Sequence, residues 1–281
     1  MTGSSDVTVV VPTHRRNHFL PETIAAVVAQ ELAPAALVVS DDVGDPDTRA
    51  IVEEWAGRAP FPVRYLDSSG PGAGTAGASR NAGAALATTS LLAFCDDDDV
   101  WHPEFLRRTV ALLEQSEADF AVAWTRADVA GYTIARMGPG LGPRDVVARN
   151  PGFVGSNFVM RTGAFRSIDG FDPTLPVSND KDLLVRALQS GLHYGVVERE
   201  LVTNRIHGDG QLTDKSPVRA AGITRYMTKH AELLDPRDVR ILQAQLASVR
   251  RATAPSRVAR WWHTAELVRL RALLAIAAVR R

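Results

Sequence analysis

The 281-residue chain reads as an α/β protein, a mostly parallel Rossmann-like sheet flanked by helices with a C-terminal helical extension. Two observations predict this. Through the first hundred residues, short β-branched apolar runs alternate with helical patterns, the arrangement of successive βαβ units. The formal net charge of zero also hides a division. Residues 215–281 hold 14 Lys/Arg against 4 Asp/Glu, and the remainder holds 18 against 28. An acidic body thus carries a basic tail, with a boundary near residue 215.

The elements follow in order. VTVVVPT (7–13) reads as a buried strand closed by Pro12. Pro21 and Glu22 open a helical pattern through TIAAVVAQ, proline being tolerated in a first turn. AALVVSDD (35–42) is a second strand, DPDTRAIVEEWAG (45–57) a second helix and VRYLDSS (63–69) a third strand. After a Gly-rich loop, ASRNAGAALATT (78–89) is helical and LLAFC (91–95) is a fourth strand. PEFLRRTVALLEQ (103–115) predicts an amphipathic helix, ADFAVAWTRADVAG (118–131) one or two strands, and GSNFVMR (155–161) another. The Gly/Pro-rich stretch 138–152 is long enough for a mobile, functional loop. SNDKDLLVRALQSG (178–191) has an N-cap signature and Gly191 as its stop. HYGVVER and LVTNRIHG predict two short strands, and two or three Arg-rich helices follow from 217.

Composition narrows the function classes. A single cysteine, Cys95, excludes an internal disulfide and fits a reducing compartment. The N-terminal stretch lacks a basic-then-apolar signal design, and no window is apolar enough to span a bilayer, so a cytoplasmic location is expected. Parallel βαβ connections are right-handed, and ligands sit beyond the carboxyl ends of the strands. Thr13-His14-Arg15-Arg16, Asp41-Asp42 and Asp96–Asp99 all fall at such ends.

Four consecutive aspartates at that edge repel one another unless a cation offsets them. Hard divalent cations take carboxylate oxygens and leave positions for water and substrate phosphates, so CDDDD fits a nucleotide diphosphate held through Mn2+ or Mg2+. The bland reading is a solvated turn at a helix N-terminus. GAGTAG (72–77) matches the dinucleotide pattern and offers an oxidoreductase reading. However, DSSGP separates it from the strand, and four acids would repel a pyrophosphate.

Seven segments together resemble the family 2 glycosyltransferases, inverting enzymes with the A-type nucleotide-sugar fold. They are VTVVVPTHRR, VVSDD, ASRNAG, CDDDDVWHP, GFDP (170–173), NDKDLLVR (179–186) and RIHGDGQLT (205–213), in the family's order from residue 7 to 213. The resemblance implies a catalytic domain over 1–214, with a nucleotide-binding half (1–103) and an acceptor half (104–214). It implies that Pro12, Thr13, Arg15, Asp41, Asp42 and Arg80 bind the nucleotide, joined by Asp96 on the ribose side, with Asp97 in the variable position able to substitute. Asp98, Asp96 and His207 would hold Mn2+ or Mg2+, and Asp180 would be the general base. Asn157, Arg161, Asp182 and Trp101 would line the acceptor side. The family's common Glu-Asp pair is here Asn179-Asp180, which keeps a non-catalytic nucleotide-sugar-binding module as the alternative.

The implied substrates are a UDP-, GDP- or dTDP-sugar and a hydroxyl-bearing acceptor. The basic helices of 215–281 lie outside the resemblance. They admit peripheral membrane contact or a homodimer, and nothing patterned for base readout points to nucleic acid.

Overall fold

The computed structural model describes residues 5–208 and 214–279, so part of the RIHGDGQLT segment, 209–213, lies outside the described residues. Among the described residues, eight strands form one sheet: β1 (Val7–Thr13), β2 (Ala36–Asp41), β3 (Val63–Asp67), β4 (Leu91–Phe94), β5 (Asp99–Trp101), β6 (Phe120–Ala127), β7 (Phe158–Arg161) and β8 (Tyr194–Asn204). Their order is β3-β2-β1-β4-β7-β6-β8-β5. β1 to β4 are mutually parallel, as the alternating pattern predicts. β7 then runs antiparallel to both β4 and β6, and β5 antiparallel to β8, so the second half is mixed.

The helices of the body are α1 (Leu20–Val28), α2 (Pro46–Ala56), α3 (Ala76–Ala85), α4 (Phe105–Glu114), α5 (Pro143–Val146), α6 (Thr162–Ser167) and α7 (Asn179–Gln189). They cover the sheet on both sides, and strand side chains divide by alternation. Val7, Val9, Val11, Leu37, Val39, Ala93 and Cys95 enter one core with α1 and α4. Val10, Leu92, Phe94, Phe120, Phe158 and Met160 enter the other with α6 and α7. A Cβ at Gly83 would meet Val10 Cγ1 at 2.4 Å, so that glycine lets α3 lie directly on β1. Asp45 caps α2 by accepting from Asp47 N, and Thr75 caps α3 by accepting from Ala78 N.

Three differences from the sequence reading have physical causes. The two short strands expected near 193–208 are one strand, β8, because pairing with β6 continues through a register shift at Ala123–Thr125. The 138–152 loop folds down, with α5 in its middle and Val146, Val147 and Phe153 buried in the core. Ser178 adopts φ 61 and its side chain caps nothing, so α7 starts without the side-chain cap the sequence suggests.

The tail forms α8 (Pro217–Lys229), α9 (Pro236–Ala252) and α10 (Arg257–Val279). α8 is fastened to the body. Tyr226 donates to Val147 O at 2.8 Å, and Lys229 pairs with Asp172 at 2.6 Å. Lys229 and His230 both reach Asp182 on α7, each at 2.8 Å. α9 continues from α8 through Tyr226, Leu242 and Leu175, and α10 packs along α9.

Candidate active site

The register that aligns β1 with β2 and β4 sets the ligand edge. Thr13 stands level with Asp41, and Phe94 is level with Val10, so the aspartates that follow Phe94 rise to the height of Thr13. The chain then leaves β4 through a turn in which Asp99 N donates to Asp96 O at 3.0 Å. Thr23 of α1 pins that turn from below, donating to Asp97 O at 2.8 Å and to Asp99 O at 2.9 Å.

The turn sorts the four carboxylates. Asp96, Asp98 and Asp99 each offer an oxygen within 4.8 Å of the others. Asp97 points the other way. It accepts from Thr13 Oγ1 at 2.8 Å and from Arg16 Nη1 at 3.0 Å. Arg16 also reaches Asp98 at 2.8 Å, and His207 Nε2 lies 2.9 Å from the same Asp98 oxygen. Asp99 accepts from Asn204 Nδ2 at 2.8 Å. The sequence reading gave Asp97 a place in nucleotide binding and did not include Asp99 in the metal set. In the turn, Asp97 is tied to Thr13 and Arg16, and an Asp99 oxygen lies with those of Asp96 and Asp98.

Crowding and burial show in the acidities. Burial pushes Asp97 up to about 6 against the opposing charge of Arg16, and the neighbouring Asp98 adds to the rise. Asp99 is held well above the usual carboxylate range by burial and by the charges of Asp98 and Asp96. Three convergent carboxylates, two of them buried, form an all-oxygen donor set that suits a hard divalent cation.

Arg80 of α3 joins this cluster to α7. Its guanidinium is buried, donates to Asp96 Oδ1 at 2.5 Å and Asn179 Oδ1 at 2.9 Å, and lies over the Phe171 ring at 5.0 Å. A Cβ at Gly155 would stand 2.3 Å from Arg80 Nη2, so glycine there makes room for the guanidinium. Beside Asn179, Asp180 Oδ1 accepts from Lys181 N at 2.7 Å. Burial raises the pKa of Asp180, opposed by its Lys181 N hydrogen bond and the charge of Arg80.

The other residues singled out from the sequence are distributed differently. Asp42 meets His14 Nδ1 at 2.6 Å on the open edge, whereas Asp41 is fully buried and occupied by Val43 N, Asp45 N and Tyr65 OH. Pro12 is buried, and Arg15 is exposed with φ 56 while Arg16 takes the inward position. Trp101 donates to Ser156 O at 2.7 Å and packs in the core on Phe105. Asn157 is fully buried and ties Ala123 O and Gly152 O. Arg161 closes the end of α4 by donating to Leu113 O and Ala118 O. Asp182 is fully buried among Arg186, Lys229 and His230. Trp101, Asn157 and Asp182 are thus buried in packing and structural bonds, whereas Arg161 is exposed and bound to backbone carbonyls.

Arg16, Ser156, Asn179 and Asn204 were not expected to shape the site. Ser156 accepts from Asp96 N at 2.9 Å. Arg16 carries a signal as the second arginine of THRR and Asn179 as the partner of Asp180 in NDKDLLVR; Ser156 and Asn204 belong to segments with no such mark. A cavity of about 500 Å3 lies between α8, α9 and α10 and shares no residue with this cluster.

Known proteins resemble the chain in both sequence and fold. The family model described as "Glycosyl transferase family 2" matches residues 8–168. An uncharacterized glycosyltransferase of Nostoc sp. is 30% identical over 111 residues, which is 40% of this chain and 34% of that protein. Validoxylamine A glucosyltransferase of Streptomyces hygroscopicus is 34% identical over 107 residues, 37% of this chain and 23% of that protein. The matched stretch is thus about a third or less of these two relatives' length. Among solved structures, a mannosyltransferase of Pyrobaculum calidifontis in complex with GDP-Man and Mn2+ superposes with a TM-score of 0.62. It is 17% identical and the superposition covers 98% of this chain and 88% of that one, a likeness of fold.

Proposed function

The chain belongs to glycosyl transferase family 2, and on that premise we propose that it moves a sugar from a nucleoside diphosphate to an acceptor hydroxyl with inversion. The observation that carries the reading is the Arg80 link. Arg80 bonds Asp96 of the carboxylate triad and Asn179 in the first turn of α7, linking the two places where a leaving-group site and a base must be held.

The donor base and ribose would lie over the ends of β1 and β2, where Thr13 backs the site and Asp42 pairs with the exposed His14. Asp96, Asp98 and Asp99 would hold Mn2+ or Mg2+, with His207 beside Asp98. Their oxygens fit such an ion, and their mutual repulsion is offset by one. When bound, the ion neutralises charge on the departing diphosphate. Asp180 accepts the proton of the acceptor hydroxyl as that oxygen attacks the anomeric carbon opposite the diphosphate. One displacement inverts the centre. Burial aids Asp180 by bringing its proton affinity closer to that of a base working near neutrality.

The test is release of nucleoside diphosphate from UDP-, GDP- and dTDP-sugars with and without Mn2+. Metal-dependent release that Asp180→Asn abolishes, with donor binding retained, is the expected result. Donor binding that raises the melting temperature without any release would support the binding-module alternative. Undiminished turnover in Asp180→Asn would remove Asp180 as base.

A further inference from the structure

α10 runs 23 residues from Arg257 to Val279, and its two faces are treated differently. Leu267 and Leu270 are buried against α9. On the opposite side, Val258, Trp261, Ala265, Val268, Ala272 and Ile276 recur every three or four residues and stand exposed. That spacing keeps them within one stripe of the helix. Trp261 and Trp262 are each 65% exposed, although such rings are ordinarily among the best-buried side chains. Arg257, Arg260, Arg269 and Arg271 flank the stripe and are exposed too. The helix holds one carboxylate, Glu266, which faces His263 at 3.6 Å.

From this face we infer that α10 binds the surface of an anionic lipid bilayer, lying in its plane. Every part of the pattern suits that occupant. An apolar stripe enters the headgroup region, tryptophans favour that depth, and flanking arginines meet lipid phosphates. Crossing the bilayer is a different matter, since no described helix is long and apolar enough for it. A second copy fits poorly. Residues 215–281 carry a net +10, and the exposed face of α10 offers no acidic row to meet its own arginines, so self-association would set like charges together. Anionic lipid supplies the missing charge. The inference stands apart from the transferase reading because no residue of α10 belongs to the acidic site.

The experiment uses the full chain with vesicles of phosphatidylcholine alone and of phosphatidylcholine with about 30 mol% phosphatidylglycerol. Cosedimentation with the anionic vesicles only, weakened by added salt, and a blue shift of tryptophan emission are expected. The Trp261→Ser/Trp262→Ser variant should keep its melting temperature and bind roughly tenfold more weakly or worse. Arg257→Gln/Arg260→Gln/Arg269→Gln/Arg271→Gln should lose the preference for anionic vesicles. Absence of vesicle binding by the wild-type chain would overturn the inference, as would equal binding by the tryptophan variant. A dimer in sedimentation that the tryptophan variant dissolves would also overturn it, by giving the face to a second copy.

Discussion

The acidic turn at 96–99 and the first turn of α7 at 179–182 pose the same problem and resolve it in the same way. Each places carboxylates one or two residues apart, and each turns one of them inward to hold the fold. Asp97 is spent on Thr13 and Arg16, and Asp182 on Arg186, Lys229 and His230. Their neighbours Asp98 and Asp180 remain at the edge. The two regions differ in what balances the outward charge. In α7, Asp180 is a single carboxylate with a backbone hydrogen bond, whereas Asp96, Asp98 and Asp99 crowd one another even though Arg80 bonds Asp96 and Arg16 bonds Asp98, and such a crowd suits a cation. Adjacent identical residues therefore need not share a task, and the direction of the backbone decides between them.

The sharpest way to break that comparison is on α7. Asp180→Asn is expected to lower kcat by about 10²–10⁴ with melting temperature and donor binding retained. Asp182→Asn should do the reverse. It leaves Lys229 and Arg186 facing a neutral amide inside the protein, and urea unfolding should show a loss of about 3 kcal/mol. If Asp182→Asn proved stable but inactive, the division of labour on α7 would be lost.

The corresponding pair in the acidic turn should separate in the same sense. Asp98→Ala is expected to abolish metal-dependent donor binding, read by isothermal titration with Mn2+, while easing repulsion in the unliganded protein. Asp97→Ala should instead cost about 2 kcal/mol of stability, because Thr13 and Arg16 lose a buried acceptor. Equal losses of metal-dependent binding in the two variants would reduce the turn to a generic acidic patch.

How legible all this was depends on the range of the interactions. β1 to β4 could be read because apolar runs such as VTVVV and LLAF state their own burial, and α1 to α3 because turns and prolines delimit them. β5 could not: Asp-Val-Trp becomes a strand only through pairing with Thr203 and its neighbours, a hundred residues on. The acidic run stands out in the sequence, where Asp96 and Asp98 group as a D-x-D, whereas the structure also brings an Asp99 oxygen within 4.8 Å of theirs. Alternation holds along a strand, and the chain has already left β4 for the turn closed by Asp99 N and Asp96 O. Asn157 and Arg161 looked like site residues for a related reason. Their partners are backbone carbonyls of other segments, which side-chain spacing does not encode.

The two acids of α7 also differ in their expected response to pH. Burial alone would raise Asp182, but the hydrogen bond from His230 and the charge of Arg186 outweigh it and hold the carboxyl below its usual value. A depressed pKa means stability present at neutral pH and lost as pH falls past the unfolded value of about 3.9 toward the folded one. Asp182→Asn should flatten that acid limb of the melting temperature. For Asp180, raised by burial, the effect should lie in activity: if it is the base it must be ionised, so kcat should fall on acidification at a higher pH than an unburied aspartate would give.

The smallest effect concerns Lys181, between the two acids. It is buried over the Tyr226 ring at 4.0 Å, and burial lowers it to about 8 despite the nearby charge of Asp180. The folded protein therefore binds the Lys181 proton less tightly than the unfolded chain, and stability should rise between about pH 8 and the unfolded value of about 10.4. Lys181→Met keeps the length of the side chain, removes the buried charge and should stabilise by about 1 kcal/mol at pH 7. The gain should vanish in melts run above the unfolded value, where the wild-type amine is neutral in both states. A Lys181→Met protein less stable than wild type at pH 7 would mean that the ring and Asp180 together hold the ammonium better than water does, and that this turn of α7 needs its cation.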